Sequence, residues 1–182
     1  MMLSTERLIL RPWQLSDAKD LYYFAKDPRI GPIAGWPAHQ SVEESTDIIR
    51  SVFMQDHIFA VVLKDTQQVI GCIGLQLGAN SYLAMTEQEG ELSYWIGVPY
   101  WGKGLIPEAA REIIRHAFQD LKLDQLWSGY IDGNVNSRIV QEKCGFRHHH
   151  TLAAQDFELI NQQHDQQVSH LSHTHWLAMQ TA

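Results

Sequence analysis

The sequence predicts a mixed α/β fold built as a single domain. Apolar stretches at residues 58–63 and 69–77 flank a short polar segment, which is typical of two strands joined by a hairpin. A further strand-like stretch, residues 89–98, leads through a glycine-containing turn into an amphipathic helix. A strand, a helix and terminal strands follow, and this order indicates packed layers of helix and sheet. The 182 residues are enough for one such domain.

The N-terminal part of the chain is predicted to hold one strand, two helices and a loop. The strand covers residues 8–10, and the first helix begins near Ser16. Gly and Pro are frequent in residues 31–39, which favours a loop. Ser41 with Glu44 three residues later has the pattern of a capping box, so we expect the second helix to begin there.

The C-terminal part is predicted to continue with a strand, a short helix and two final strands. The first of these strands covers residues 126–131, and the helix covers residues 136–143 with Gly145 just beyond its end. The last two strands are expected near residues 146–151 and 168–178, joined by a polar loop.

The charge and the cysteine content argue against several classes of function. A formal net charge of −7 is unlike that of a general nucleic-acid binder, which needs a basic face. Cys72 and Cys144 form no C-x-x-C motif and are expected to be buried, reduced thiols. No signal peptide is apparent, and no stretch approaches the roughly 20 apolar residues of a membrane-spanning helix. We therefore expect a soluble, cytoplasmic protein without nucleic-acid or membrane partners.

Histidine is frequent near the C-terminus, which raises the question of a metal site. His148, His149 and His150 are consecutive, and His173 and His175 are expected to share one face of a strand. No carboxylate or cysteine completes a recognisable zinc pattern around them. We expect a polar sheet face or loop and no metal.

The segment of residues 95–111, W-I-G-V-P-Y-W-G-K-G-L-I-P-E-A-A-R, is predicted to bind a phosphate-bearing ligand. Gly102 and Gly104 allow backbone conformations closed to other residues, and Pro107 suits the first turn of a helix. Unpaired N–H groups at the positive end of a helix bind phosphate. The segment lacks the G-K-[ST] of a P-loop and the third Gly or Ala of a dinucleotide fingerprint.

Three segments together resemble the GCN5-related N-acetyltransferase (GNAT) superfamily. Y-W-G-K-G-L-I-P-E-A resembles the loop that binds the pyrophosphate of acyl-coenzyme A. N-V-N-S-R-I-V-Q-E-K-C-G-F follows at the family's spacing, and T-E-R-L-I-L-R-P resembles its opening strand. The likeness is to the branch that includes the ribosomal-protein N-terminal acetyltransferases. It implies one acetyltransferase domain over residues 1–182, with a mixed, mostly antiparallel sheet that is splayed between its fourth and fifth strands and flanked by helices.

The resemblance also implies acetyl-CoA as co-substrate and assigns residues to it. The loop would bind the pyrophosphate, the preceding strand end would pair with the pantetheine arm, and the later segment would contact the arm and the sulfur. The residues assigned in this way are Ile96, Gly97, Val98, Trp101, Gly102, Lys103, Gly104, Leu105, Ile106, Pro107, Asn134, Asn136 and Ser137. Trp101 and Ile106 depart from the family's usual residues, but neither change removes a backbone donor.

The implied activity is acetyl transfer to a primary amine, either a protein N-terminus or a small-molecule amine, by direct attack on the thioester. Only a neutral amine attacks, and a terminal amine has a reference pKa of about 8, so a general base would help. Glu91 resembles the strand glutamate that some relatives use as this base. A backbone N–H near Ile96 or Gly97 could hold the thioester oxygen. Ser137, where many relatives have Tyr, would assist the departing thiolate.

The residues leave alternatives open. Glu91 could be a solvated strand residue, and Ser137 could serve only the backbone at a helix start. The chain could also be a catalytically weak acyl-CoA-binding or regulatory module on the same fold. Residues 31–39, residues 78–88 and the His-rich tail would shape the acceptor site but carry no motif, so the amine is not predicted. A monomer and a homodimer are both compatible with the sequence.

Overall fold

The structure is a computed structural model that describes residues 1–84 and 86–181, which form eight strands and five α-helices. The strands are β1 (Leu3–Ser4), β2 (Leu8–Pro12), β3 (Ile58–Leu63), β4 (Val69–Leu77), β5 (Glu89–Ile96), β6 (Gln125–Ile131), β7 (Arg147–Phe157) and β8 (Gln162–Ser172). The helices are α1 (Ala18–Ala25), α2 (Val42–Ile48), α3 (Leu105–Arg115), α4 (Val135–Lys143) and α5 (His173–Gln180). No helix among these residues is both long and apolar enough to cross a membrane.

The strands form one sheet in the order β1-β2-β3-β4-β5-β6-β8-β7. β5 and β6 are parallel, whereas β1–β2, β2–β3, β3–β4, β6–β8 and β7–β8 are antiparallel. The predicted mixed, mostly antiparallel sheet with flanking helices is therefore confirmed. The additional strand β1 was not predicted.

The chain forms two compact units. Unit 1 consists of Met1–Gly74 with Tyr94–Ala109, and unit 2 consists of Leu75–Ser93 with the residues from Ala110 onward. The chain passes from one unit to the other within β4, β5 and α3.

In unit 1, α1 is held by an apolar face at helical spacing. Ala18, Leu21 and Ala25 are buried, and they recur every three or four residues because 3.6 residues make one turn. They pack with apolar residues of the strands. The buried residues of this core are Trp13, Ala18, Leu21, Ala25, Ile49, Ile58, Ala60, Val62, Val69 and Cys72.

The predicted start of α2 is confirmed with one change in its capping bonds. The Ser41 hydroxyl accepts a hydrogen bond from the backbone N–H of Glu44 at 3.0 Å. The Glu44 carboxylate accepts from the N–H of Gln40 rather than from that of Ser41. The reciprocal bond of the capping box is thus displaced by one residue.

In unit 2, the core lies around α3 and β6. A Cβ atom on Gly90 would lie 2.9 Å from Leu75 and 3.0 Å from Leu123, so a side chain there would displace its neighbours. Phe118 and Trp176 have ring centroids 5.5 Å apart. The larger buried side chains of the unit are Leu75, Leu92, Ile113, Ile114, Phe118, Leu123, Leu126, Leu171 and Trp176.

The predicted splay lies between β5 and β6, which become the fifth and sixth strands once β1 is counted. Their pairing ends at Glu91 and Trp127, although both strands continue. Beyond that point the Ser128 hydroxyl donates to the backbone carbonyl of Leu92 at 2.8 Å. The Gln141 amide of α4 donates in turn to the Ser128 hydroxyl at 2.9 Å. Side-chain hydrogen bonds thus connect the two strands just beyond the end of their backbone pairing.

Two predicted strands have different ends in the structure. β5 ends at Ile96, two residues before its predicted end, because Pro99 lacks an N–H and a short 3₁₀ turn forms over Val98–Tyr100. Residues 173–178 are helical rather than extended, since the Ser172 hydroxyl caps the N–H of His175 at 3.2 Å. His173 and His175 therefore do not share a strand face.

The polar loop predicted between the last two strands is largely absent. β7 continues to Phe157 and β8 begins at Gln162, with a short turn between them and a left-handed Asn161 at φ 51°. The paired strands carry Gln, His, Thr and Asp on exposed positions, which hides the apolar alternation that signals a strand.

Candidate cofactor-binding and catalytic residues

The turn between β5 and α3 presents a run of unpaired backbone N–H groups. Trp101 N–H donates to Val98 O at 3.1 Å, and Glu108 N–H donates to Gly104 O at 3.2 Å. Between them, the N–H groups of residues 102–106 donate to no carbonyl in the part of the chain that the structure describes. Such a run at the start of an 11-residue helix is a favourable place for an anion.

Gly102 and Gly104 give this turn its shape. Their φ angles are 71° and 74°, in the region that other residues rarely adopt. A Cβ atom on Gly102 would meet no atom within 4 Å, so there is open space beside the turn. The Lys103 ammonium lies 5.4 Å from the centroid of the Tyr100 ring. The turn thus combines N–H donors, space and positive charge, which fits a pyrophosphate.

The end of β5 is tied to the turn by its own hydrogen bonds. The Trp101 indole N–H donates to Ile96 O at 3.0 Å. The N–H of Gly97 donates to Ile70 O at 2.8 Å. The sequence suggests the N–H of Ile96 or Gly97 as donor to the thioester oxygen, and that of Gly97 already has a partner. A Cβ atom on Gly97 would lie 2.5 Å from the Phe24 ring, which explains the glycine.

The predicted cofactor residues fall into the two units. Those in residues 96–107 belong to unit 1, and those in residues 134–137, together with Glu91, belong to unit 2. Asn134 caps α4, and its side-chain oxygen accepts from the N–H of Ser137 at 3.1 Å. Asn134 and Ser137 are half-buried and Asn136 is exposed.

Glu91 on β5 binds the segment that precedes it in sequence. Its Oε2 atom accepts from the Ser81 hydroxyl at 2.9 Å, from Tyr82 N–H at 2.8 Å and from Leu83 N–H at 3.2 Å. Leu83 lies over Gly129 of β6, where a Cβ atom would be 3.2 Å from it. Glu91 is therefore not simply solvated. Of the predicted polar segment 78–88, Met85 lies outside the described residues.

Comparison with known proteins decides the family. Residues 7–147 match the family model of the acetyltransferase (GNAT) domain. This chain belongs to the GNAT family. As a GNAT protein it is an N-acetyltransferase, an acyl-transferring enzyme, as its relatives are.

One relative and one solved structure resemble this chain over most of its length. Uncharacterized N-acetyltransferase p20 of Bacillus licheniformis is 31% identical over 132 residues, which cover 68% of this chain and 70% of the relative. A GNAT-family acetyltransferase from Bacillus anthracis has a TM-score of 0.82 at 20% identity, covering 94% of this chain and 98% of its own.

Two further solved structures have the same fold. Ribosomal-protein-S5-alanine acetyltransferase from Vibrio fischeri has a TM-score of 0.73 at 20% identity, over 97% of this chain and 98% of its own. Microcin C7 self immunity acetyltransferase MccE, solved in complex with acetyl-CoA and AMP, has a TM-score of 0.75 at 18% identity, over 92% and 93%.

An ion pair that was not predicted from the sequence, Arg7 with Glu108, links the start of β2 to the start of α3. Glu108, in the first turn of α3, accepts from the Thr5 hydroxyl, from Arg7 N–H at 2.8 Å and from Arg7 Nε at 2.7 Å. Burial alone would raise the pKa of Glu108, but the hydrogen bonds from Thr5 and Arg7 hold it below its ordinary value. The motifs T-E-R and I-P-E-A contain both residues, yet spacing alone cannot pair charges 101 positions apart.

The two cysteines are unsuited to nucleophilic catalysis. Burial raises the pKa of Cys72 to about 12 and that of Cys144 to about 11. The thiolate is the reactive form, and it is scarce at neutral pH when the pKa is this high.

Several of the C-terminal histidines form ring contacts. No group of three or more His, Cys, Asp or Glu side chains could hold a metal ion among residues 1–84 and 86–181. His149 and His170 lie against Trp127 with ring centroids 5.1 Å and 4.7 Å away. The Trp127 indole N–H donates to Glu89 at 2.9 Å.

Proposed function

We propose that this GNAT protein transfers the acetyl group of acetyl-CoA to a primary amine, with residues 1–182 acting as one acetyltransferase domain. The observation that carries the proposal is the run of unpaired N–H groups of residues 102–106 at the start of α3. N–H donors at the start of a helix suit the pyrophosphate of coenzyme A. The acetyl-CoA complex of the fold neighbour MccE supports the choice of this ligand.

We assign the remaining cofactor residues the roles that the family resemblance implies. Ile96 at the end of β5 and Val98 in the following turn would bind the pantetheine arm, and Asn134 and Asn136 at the start of α4 would contact it. Bound acetyl-CoA supplies the activated acyl group as a thioester. Ser137, in the first turn of α4, would hydrogen-bond the departing thiolate directly or through water.

Glu91 is proposed as the base that takes the proton of the attacking amine. The donors from Ser81, Tyr82 and Leu83 address its Oε2 atom, and we assign proton acceptance to Oε1. The same contacts hold residues 81–83 beside the base. Glu91 would therefore both accept the proton and hold residues 81–83, which belong to a segment expected to shape the acceptor site.

Transfer is proposed to be direct, without an acyl-enzyme. The amine nitrogen forms a bond to the acetyl carbon, the carbon–sulfur bond breaks, and the amine proton passes to the base. The high pKa values of Cys72 and Cys144 support this route, because neither thiol would be ionised to attack the thioester.

The test is a free-thiol release assay with acetyl-CoA and a panel of amines, which includes peptides with free N-termini, polyamines and amino sugars. Calorimetry with coenzyme A is run beside it. We expect saturable binding and thiol release with at least one acceptor. Binding without thiol release above background would favour a catalytically weak acyl-CoA-binding or regulatory module. Absence of coenzyme A binding would overturn the proposal.

A further inference from the structure

Arg7 lies immediately before β2 and reaches the turn at the start of α3. Its Nε atom donates to Glu108 Oε2 at 2.7 Å, and its Nη1 atom donates to Lys103 O at 3.1 Å. Its Nη2 atom is 3.8 Å from the position that a Cβ atom on Gly104 would take. One guanidinium group therefore contacts the helix, the turn and the space beside the glycine.

The position of this guanidinium is fixed by several bonds. The Arg7 backbone N–H also donates to Glu108, at 2.8 Å, and the Thr5 hydroxyl donates to the same carboxylate oxygen. A guanidinium is planar, so holding Nε and Nη1 determines where Nη2 points. The side chain is 46% exposed, which leaves it accessible to a ligand in solution.

The Nη2 group is suited to a phosphate oxygen. Its N–H donors have no hydrogen-bond partner within the described part of the chain. They lie next to the unpaired N–H groups of residues 102–106. The Arg7 charge also offsets that of Glu108, which would otherwise oppose an anion in the first turn of α3.

We propose that Arg7 is a phosphate-binding residue of this protein, and that its Nη2 group contacts the pyrophosphate of coenzyme A. The proposal rests on the proposed function, because it requires coenzyme A at the glycine turn. It adds a second charged side chain, besides Lys103, to the backbone N–H groups of the turn. The remainder of the Arg7 side chain positions the turn through Lys103 and Glu108.

The experiment compares Arg7→Gln and Arg7→Lys with a matched control, Arg29→Gln. Arg29 is also a surface arginine paired with a carboxylate, Asp27, and its loss changes the net charge equally. Calorimetry measures the affinity for coenzyme A. We expect Arg7→Gln to weaken binding by roughly 10- to 100-fold, the range for a hydrogen bond to a charged group. Arg7→Lys should lie between Arg7→Gln and wild type, and Arg29→Gln should bind as wild type.

Truncated ligands identify the phosphate. The loss in Arg7→Gln should be the same for coenzyme A and for dephospho-coenzyme A, which keeps the pyrophosphate but lacks the 3′-phosphate. Turnover of acetyl-pantetheine, which has neither phosphate, should be unchanged. A loss confined to coenzyme A would overturn the assignment to the pyrophosphate.

A merely structural role gives a different pattern. In Arg7→Gln and Arg7→Lys, activity with acetyl-pantetheine would then fall in parallel with the affinity for coenzyme A. That result, or wild-type affinity in Arg7→Gln, would overturn the proposal. Failure of the wild-type protein to bind coenzyme A would instead contradict the proposed function itself, so the two failures are distinguishable.

Discussion

At Gly104, a substitution can affect ligand binding in two ways, through backbone strain and through the charge of the new side chain. Its φ of 74° disfavours any side chain, and a carboxylate there would lie beside the proposed pyrophosphate position. We expect Gly104→Asp to reduce the affinity for coenzyme A below the limit of calorimetry. Gly104→Ala carries the same backbone strain without the charge and should retain measurable binding. Equal affinities for the two variants would show that charge at this position is unimportant.

Glu91 has two roles that mutation can separate. Glu91→Gln removes the proposed base, and we expect kcat to fall by about 10²–10⁴-fold while the affinity for coenzyme A changes little. Ser81→Ala removes one hydrogen bond to the carboxylate and leaves the base in place. Its kcat should fall much less. If both variants lose the same activity, Glu91 acts through the position of residues 81–83 rather than as a base.

Among the elements, the start of α3 depends on the ionised form of Glu108. A carboxyl whose folded pKa is lowered contributes stability above its unfolded value and loses it as the pH falls through the folded pKa. We expect the free energy of unfolding to decrease as the pH drops below the ordinary value of 4.5. Denaturant titrations across this range should show a shallower decrease in Glu108→Gln. The pair of Asp47 and Arg50 offers a control, Asp47→Asn, because an exposed ion pair contributes little to stability.

The buried Ser128 hydroxyl joins β6 to β5 just beyond the end of their backbone pairing. Ser128→Ala would leave the Gln141 amide and the Leu92 carbonyl without their partner, so we expect a loss of about 1–3 kcal/mol of stability in urea unfolding. Ser93 also bonds a glutamine side chain, Gln76, but is only partly buried. Ser93→Ala should therefore cost less, and a larger loss in Ser93→Ala would contradict this account.

The elements also show what the sequence can and cannot predict. β3 and β4 have the predicted bounds because continuous apolar residues flank a polar hairpin. The start of α5 was predicted as strand, since its capping residue and one buried aromatic, Trp176, give no clear helical period. The glycine turn is evident from local residue types. The bond of Arg7 to Glu108 is not, because it joins residues brought together only by folding.

At the scale of the whole molecule, ligand binding should be measurable as stability. A ligand that binds only the folded protein stabilises it by about 2.7 kcal/mol at 100 times its Kd. We expect saturating coenzyme A to raise the melting temperature of the wild-type protein, and to leave that of Gly104→Asp unchanged. An equal increase in both proteins would indicate that coenzyme A binds away from the glycine turn.

The division of the chain has a consequence for how this protein can be shortened. Unit 1 is assembled from residues 1–74 and 94–109, and unit 2 from residues 75–93 and those from 110 onward. Each unit is therefore encoded by two separate stretches of the gene, with a stretch of the other unit between them. No single stop codon or protease cut releases either unit as one uninterrupted polypeptide.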